Sequence, residues 1–280
     1  MNVKKHVLNQ PNHNIGEILN TAGGGHGNIR NAQIQCNNSS YSVIAKPYLQ
    51  REANFYLQMK STPLSKVIPK YYGVVNENSQ SEWLLIQDLT AGMSSPCIAD
   101  IKLGTRSYEI NAPIQKQKKQ ISNMIGTTTK THAIRIIDVR IRNDGKITAC
   151  WDRNDGRKMD INTFQTVMKE FIPLDKHSQL ISGLKNIHSS LLDTYSIFPN
   201  LRLYSASILV IYDSKNQQIP LKTVLIDFAH AYVDILSEGG DPSDHSFDDN
   251  SIKGITNLIN LMETSSNNSI SSKTASTQKF

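Results

Sequence analysis

"PCIADIKLG" (96–104) sets one carboxylate, Asp100, and one ammonium, Lys102, inside an otherwise apolar run opened by Pro96 and closed by Gly104. Such a run reads as a strand. Residues two apart on a strand share a face, so Asp100 and Lys102 point the same way while Ile101 points into a core. An ion pair on a half-exposed strand contributes little to stability and would explain the two residues by itself. Holding a charged ligand between them would explain them equally.

Other stretches offer similar chemistry. In "KTVLIDFAHAY" (222–232) the run Val224, Leu225, Ile226 ends at Asp227. A carboxylate at the mouth of a buried strand needs a cation or a donor. Magnesium, which takes oxygen ligands and substrate phosphates, is one candidate and a capped strand end is the other. Lys46 ends the strand "YSVIAK" and Glu52 lies on the helix that follows. A strand lysine paired with a helix glutamate grips nucleotide phosphates in protein kinases, although the spacing here is much shorter. "LLIQDL" (84–89) has the character of a connecting strand whose backbone could meet an adenine edge. After Pro113, Lys116, Lys119 and Gln120 fall at i, i+3 and i+4 and share one helix face, suited to a multiply phosphorylated ligand or simply to solvent. "AGGGHGN" (22–28) lacks the Gly-Lys-Ser/Thr of a Walker loop. His26 and His230 read as structural histidines.

Of the 280 residues, 38% are apolar and 7% aromatic, which supports a packed core in one large domain or two lobes. The net charge is +6, and residues 100–160 carry 13 Lys/Arg against 7 Asp/Glu, enough to hold the whole excess. "GGDPSDHSFDDN" (239–250) carries four Asp and no cation. A basic middle points to a polyanionic ligand or to a solvated surface. No zinc-finger spacing, aromatic RNA-binding signature or basic zipper supports a specific nucleic-acid partner. The opening "MNVKKHVLNQPNHNIG" has no apolar core of a secretory signal, and no apolar run nears the ~18 residues of a membrane span. Cys36, Cys97 and Cys150 are far apart and in no ligand spacing, which fits free thiols in the cytoplasm or nucleus.

Strands are expected at 41–48, 67–75, 82–89, 96–104 and 202–213, and again from 222, with a hairpin joining "AIRIIDVRI" to "KITACWD" at Asn143-Asp144-Gly145. Helices are expected at 50–60, after Pro113, over "INTFQTVMKEFI" and "HSQLISGLKNIHSSLLDTY", and at "IKGITNLINLM". The expected division is an extension at 1–21, a strand-rich lobe at 22–89, a mixed lobe at 90–264 and a disordered tail at 265–280.

In order along the chain, these blocks resemble one family. "PCIADIKLGTR" fits the P-x-x-x-D-x-K-x-G signature of the inositol polyphosphate kinases. "GGHGN", "IAKPYLQREANFY", "LLIQDLT", "GRKM", "RLYSASILVIYD", "IDFAHAY" and "DDNSIKGITNLINLM" are similar to its other blocks, from about residue 22 to 262. The resemblance implies an α+β, two-lobed fold distantly like the protein kinases, a monomer with ATP and magnesium in the interlobe cleft and an inositol polyphosphate as the acceptor. By that likeness Lys46 touches ATP phosphates, Gln87 and Leu89 offer backbone groups to adenine, and Asp100 holds the nucleotide. Lys102 bridges the moving phosphoryl group and the acceptor, Asp227 ligates magnesium, and Lys116, Lys119 and Gln120 hold the inositol phosphate. Gln87 stands where the family commonly has Glu, Ala206 replaces a serine, and "THAIRIIDVRI" keeps Arg135 but departs from the usual wording. The short connection between Gly104 and Thr127, with no calmodulin-like segment before the domain, argues against the trisphosphate 3-kinases. The multikinase and hexakisphosphate kinase branches both stay open, "ACWDRNDGRKMDINTF" reading slightly more like the latter. A non-catalytic inositol-phosphate-binding module and a basic nucleic-acid binder are the alternatives.

Overall fold

The computed structural model describes residues 14–18, 29–36, 39–78, 81–240 and 251–276, with backbone alone at 14–18, 36, 77–78 and 265–276. The glycine turn 22–28 with His26, and the acidic stretch from 241 to 250, lie outside the described residues.

The first lobe is an antiparallel sheet of β1 (Asn14–Ile18), β2 (Arg30–Cys36), β3 (Ser39–Pro47), β4 (Tyr71–Asn78) and β5 (Ser81–Gln87), in the order β1-β2-β3-β5-β4. The sheet begins inside the stretch set apart above as an extension. "NIGEI" has little strand character of its own, and β1 is defined by its pairing with β2. Helix α1 (Gln50–Met59) starts three residues after β3 ends and buries Glu52, Ala53, Phe55, Tyr56 and Met59. Side chains alternate along β3. Val43 and Ala45 join a small apolar cluster with Ile34, Trp83 and Leu85. Ile44 and Lys46 therefore take the opposite face, and Ile44 packs against the cluster that holds α1.

The second lobe is built on β6 (Pro96–Leu103), the middle strand of the order β11-β10-β6-β7-β8. Its partners are β7 (Ile134–Asn143), β8 (Lys146–Trp151), β10 (Ser207–Asp213) and β11 (Lys222–Ile226). Cys97, Ala99, Ile101 and Leu103 are fully buried and Ile98, Asp100 and Lys102 half-buried, the alternation expected for this strand. The β7–β8 hairpin turns on Asp144 (φ 48°) and Gly145 (φ 79°), the two left-handed residues that a two-residue turn of this kind requires.

The remaining elements are α2 (Ile114–Ser122), α3 (Thr128–His132), α4 (Arg153–Lys158), α5 (Ile161–Phe171), α6 (His177–Ile197), the short pair β9 (Arg202–Leu203) and β12 (Ala231–Tyr232), and α7 (Ser251–Ser276). Helix α6 buries Leu180, Leu184, Ile187, Leu191 and Tyr195 at helical spacing. The backbone of α7 continues as helix to Ser276, past residue 264. One apolar cluster joins α1 to the second lobe through Phe55, Tyr56 and Phe228, so the lobes share a core. "RLYSASILVIYD" is not one strand. It breaks at Tyr204–Ala206, where Ser205 takes φ 66° between β9 and β10.

Candidate active site

Lys46 projects from the end of β3 toward α1, and its Nζ donates to Glu52 Oε1 at 2.8 Å and to Asp227 Oδ1 at 3.1 Å. The six-residue spacing suffices because the helix begins almost at once after the strand. Burial pulls the Lys46 ammonium down, but the Asp227 and Glu52 carboxylates overcome it and hold the pKa above the ordinary lysine value. Lys46 is charged at any physiological pH.

Asp227 follows β11 in a left-handed conformation, φ 67°, which a non-glycine residue adopts only where its surroundings hold it. Its neighbour supplies the hold. Phe228 is fully buried and stacks on Phe55 of α1, with centroids 4.1 Å apart, and meets Tyr56 edge-on at 5.3 Å. The helix that orients Lys46 through Glu52 thus also fixes Asp227 through Phe228.

Asp100 and Lys102 open on the same space from β6. Lys102 lies opposite Ser207 on β10 and Arg135 on β7, and cross-strand partners share a face. Lys102 Nζ donates to Ser205 Oγ at 3.1 Å, a contact made by the left-handed Ser205. Burial first, then repulsion from Arg135 and Arg153, lowers the Lys102 pKa to about 8 against the pull of Asp227 and Asp100. Asp100 is pushed up to about 7, by burial first and by the Asp227 charge second, with Ser207 and Lys102 opposing. Its Oδ1 is shut off from solvent and accepts no hydrogen bond among the described residues. Asp138, opposite Asp100 at a bulge, pairs with Arg140 at 3.0 Å.

Beyond Lys102 the site is cationic. Arg135 is 8% exposed, its Nε has no hydrogen-bond partner among the described residues, and burial with repulsion from Arg157 and Arg153 lowers its pKa to about 10. Arg153 and Arg157 come from α4, which carries the "GRK" wording and lies close on β7. A Cβ at Gly156 would stand 2.0 Å from the Ile136 carbonyl oxygen. On the other side, Lys102, Ser205, Ser107 and Gln120 form a polar line. Ser205 Oγ donates to the Ser107 carbonyl at 3.5 Å, and Ser107 Oγ to Gln120 Oε1 at 3.0 Å. Lys116 and Lys119 on the same helix are exposed.

His230, hydrogen-bonded as a structural histidine would be, lies in this region. Its Nδ1 lies 3.0 Å from Glu109 Oε1, and its pKa is lowered by burial, against Glu109, and by the nearby Lys102 and Lys116. Glu109 also meets Arg51 of α1, whose guanidinium lies over the Tyr232 ring. A 121-residue separation left no signal for the His230–Glu109 pair in the sequence. Of the connecting strand, Gln87 N–H already donates to Lys70 O and the Leu89 carbonyl accepts from Lys222 Nζ. The groups Gln87 and Leu89 could still offer are a carbonyl and an N–H respectively.

The carboxylates suit a hard divalent cation. The Asp227 side chain is 47% exposed while Asp100 Oδ1 lacks any partner, and no cluster of three acidic or soft ligands occurs among the described residues. One or two carboxylates completed by phosphates and water is how magnesium is usually bound beside a nucleotide.

Two lobes sharing a core, with a lysine–glutamate pair in the first facing an aspartate, a lysine and a Phe-anchored aspartate in the second, define a kinase-like α+β fold. The chain belongs to the inositol polyphosphate kinase family, whose model matches residues 83–263. It is 33% identical over 163 residues to inositol hexakisphosphate kinase 1 of Saccharomyces cerevisiae, covering 53% of this chain and 15% of that protein. It is 25% identical over 210 residues to mouse inositol hexakisphosphate kinase 3 (66% and 51%). It is 23% identical over 241 residues to the Arabidopsis thaliana inositol polyphosphate multikinase alpha (75% and 81%). The chain thus spans about half or less of the hexakisphosphate kinases it matches. Among solved structures, the S. cerevisiae inositol phosphate multikinase Ipk2 in complex with ADP and Mn2+ superposes with a TM-score of 0.64 at 22% identity, over 79% of this chain and 98% of that one.

Proposed function

We propose that this chain is an ATP-dependent kinase that transfers the γ-phosphoryl group to an inositol polyphosphate, of the hexakisphosphate kinase or multikinase type. The observation that carries the proposal is the cluster of charges where the two lobes meet. Lys46 and Asp227 meet at 3.1 Å, and Asp100 and Lys102 share that field with Arg135, Arg153 and Arg157 beyond. Phosphoryl transfer depends on positioning and charge neutralisation more than on covalent chemistry, and this site is built of fixed charges.

Lys46, aimed by Glu52, holds the nucleotide phosphates, and the Gln87 carbonyl with the Leu89 N–H holds the adenine edge. Asp100 orients the nucleotide. Asp227, with Asp100 beside it, would hold magnesium or manganese, which when bound offsets phosphate charge. Lys102 carries its ammonium between the leaving and accepting sides, and the acceptor's phosphates sit against Arg135 and the cations of α4 and α2. Arrival of those phosphates reverses the repulsion that lowers the Lys102 pKa and fixes it in the charged form. A monomer in the cytoplasm or nucleus belongs to the same proposal, a setting that suits the unbridged Cys97 and Cys150.

The test is a panel of inositol tris- to hexakisphosphates incubated with γ-labelled ATP and magnesium, the products separated by charge. Label on at least one of them, lost in Lys102→Met, is expected. Tight inositol phosphate binding with no ATP consumed would instead make the chain a binding module.

A further inference from the structure

Helix α2 buries none of its nine residues. A helix this short is marginal in water on its own, so a helix that packs no side chain needs another source of order. Intramolecularly it is tied by Gln120 to Ser107, by Gln117 Nε2 to the Ala112 carbonyl at 2.8 Å, and by Met124 just beyond its end. Those three positions lie on one side. Ile114, Ile121 and Ile125 are 63%, 45% and 72% exposed. Ile114 and Ile121, seven residues apart, return to within about 20° of one another on the helix, and Ile125 lies in the turn that follows it.

Exposed large apolar side chains are ordinary when single, and the others among the described residues are scattered: Tyr41, Leu49, Ile147, Leu174, Leu192, Ile197 and Leu236. Three of them within twelve residues, two on one helix face and the third in the turn that follows, are not. Lys118 flanks Ile114 and Ile121, and Lys116 and Lys119 lie further round, all exposed. The sequence holds no acidic residue between Glu109 and Asp138.

We propose that α2 is a membrane-contact helix: Ile114 and Ile121, with Lys118 beside them and Ile125 in the turn that follows, seat on the surface of a bilayer containing anionic lipid, while Lys116 and Lys119 occupy the opposite, polar face. An apolar face opposite a polar face that carries lysines and no carboxylate is the pattern of helices that lie in the headgroup region and are drawn to anionic lipid. A second copy of the chain is a poorer occupant, because it would bring the same unbalanced cations against these. Ile114 and Ile121 lie away from the face that presents Lys116, Lys119 and Gln120 to the cleft, so the helix can serve both.

The full-length chain is sedimented with vesicles of phosphatidylcholine alone or mixed with phosphatidylserine, and compared with an Ile121→Asp, Ile125→Asp variant whose thermal melt is checked. Retention on the anionic vesicles only, with a loss of more than about tenfold in the variant, is expected from the burial of two isoleucines. Ile114→Gln, a milder change, should lower retention in the same direction. Equal retention of variant and parent would reduce the effect to charge alone and overturn the proposal. So would equal retention on both vesicle types, no retention on either, or a concentration-dependent dimer that the variant dissolves. No nucleotide is used, so this result is independent of the kinase reading.

Discussion

Replacing Lys102 with methionine should abolish turnover and make the free protein more stable. Lys102 titrates at about 8 where an ordinary lysine stands at 10.5. At about 1.4 kcal/mol per tenfold, that gap means the charged form costs the folded state on the order of 3 kcal/mol at neutral pH. Partial exposure reduces the figure. Methionine keeps the side-chain length but loses the hydrogen bond to Ser205, worth about 1 kcal/mol. The balance is about 1–2 kcal/mol in favour of Lys102→Met, or a rise of roughly 3–6 °C in Tm. The sign depends on pH. Between about 8 and 10.5 the unfolded chain binds the Lys102 proton more tightly than the folded one, so the parent gains stability as pH rises through that window. The advantage of the variant is therefore largest below pH 8 and fades toward pH 10.5. Calorimetric melts of both proteins from pH 6.5 to 10, without nucleotide, measure it directly. A variant less stable than the parent at pH 7, or an advantage that does not change with pH, would refute the assignment of Lys102 as a buried, repelled ammonium.

Asp227→Asn should leave metal-free nucleotide affinity nearly unchanged and remove at least about tenfold of the affinity gained with magnesium or manganese, read by calorimetric titration with and without the metal. Near pH 8, binding of an inositol polyphosphate should be accompanied by proton uptake, since the ligand raises the Lys102 pKa from about 8. Heats in buffers of different ionisation enthalpy should report it, and the uptake should vanish in Lys102→Met. Gly156→Ala would place a methyl group 2.0 Å from the Ile136 carbonyl. Displacing α4 should lower stability by about 2 kcal/mol or more and raise KM for the acceptor more than for ATP, as seen in melts and in two-substrate kinetics.

Strand β6 was legible because its two charges interrupt a period-two pattern, and the pattern alone assigns their face. Lys46 and Glu52 were harder to join. Their pairing depends on how soon α1 follows β3, which a six-residue spacing does not disclose. The break at Ser205 had no sequence signal, because nothing in "YSAS" demands a left-handed residue, yet it is this break that brings a hydroxyl to Lys102. Arg135 was visible only as a retained family residue. In the fold it is nearly as buried as the isoleucines around it, and its repulsion from Arg153 and Arg157 emerges only when β7 and α4 are placed together. His230 required a partner 121 residues away.

Under the proposed function, the two ends of the charged site differ in how their charges are balanced. At the nucleotide end Lys46 is already paired twice by carboxylates, so its position is fixed before any ligand arrives. At the acceptor end Lys102, Arg135, Arg153 and Arg157 repel one another, and two of them titrate below their ordinary values. A polyanion would relieve that repulsion and a neutral ring alcohol would not, so on this reading discrimination among acceptors would follow the phosphates they carry rather than the hydroxyl that reacts. Asp100 and Asp227 oppose this at the boundary between the two ends. Burial first and then the Asp227 charge raise the Asp100 pKa, and a divalent cation would offset both, so on this reading the metal and the acceptor would each remove a strain that the folded chain holds in their absence.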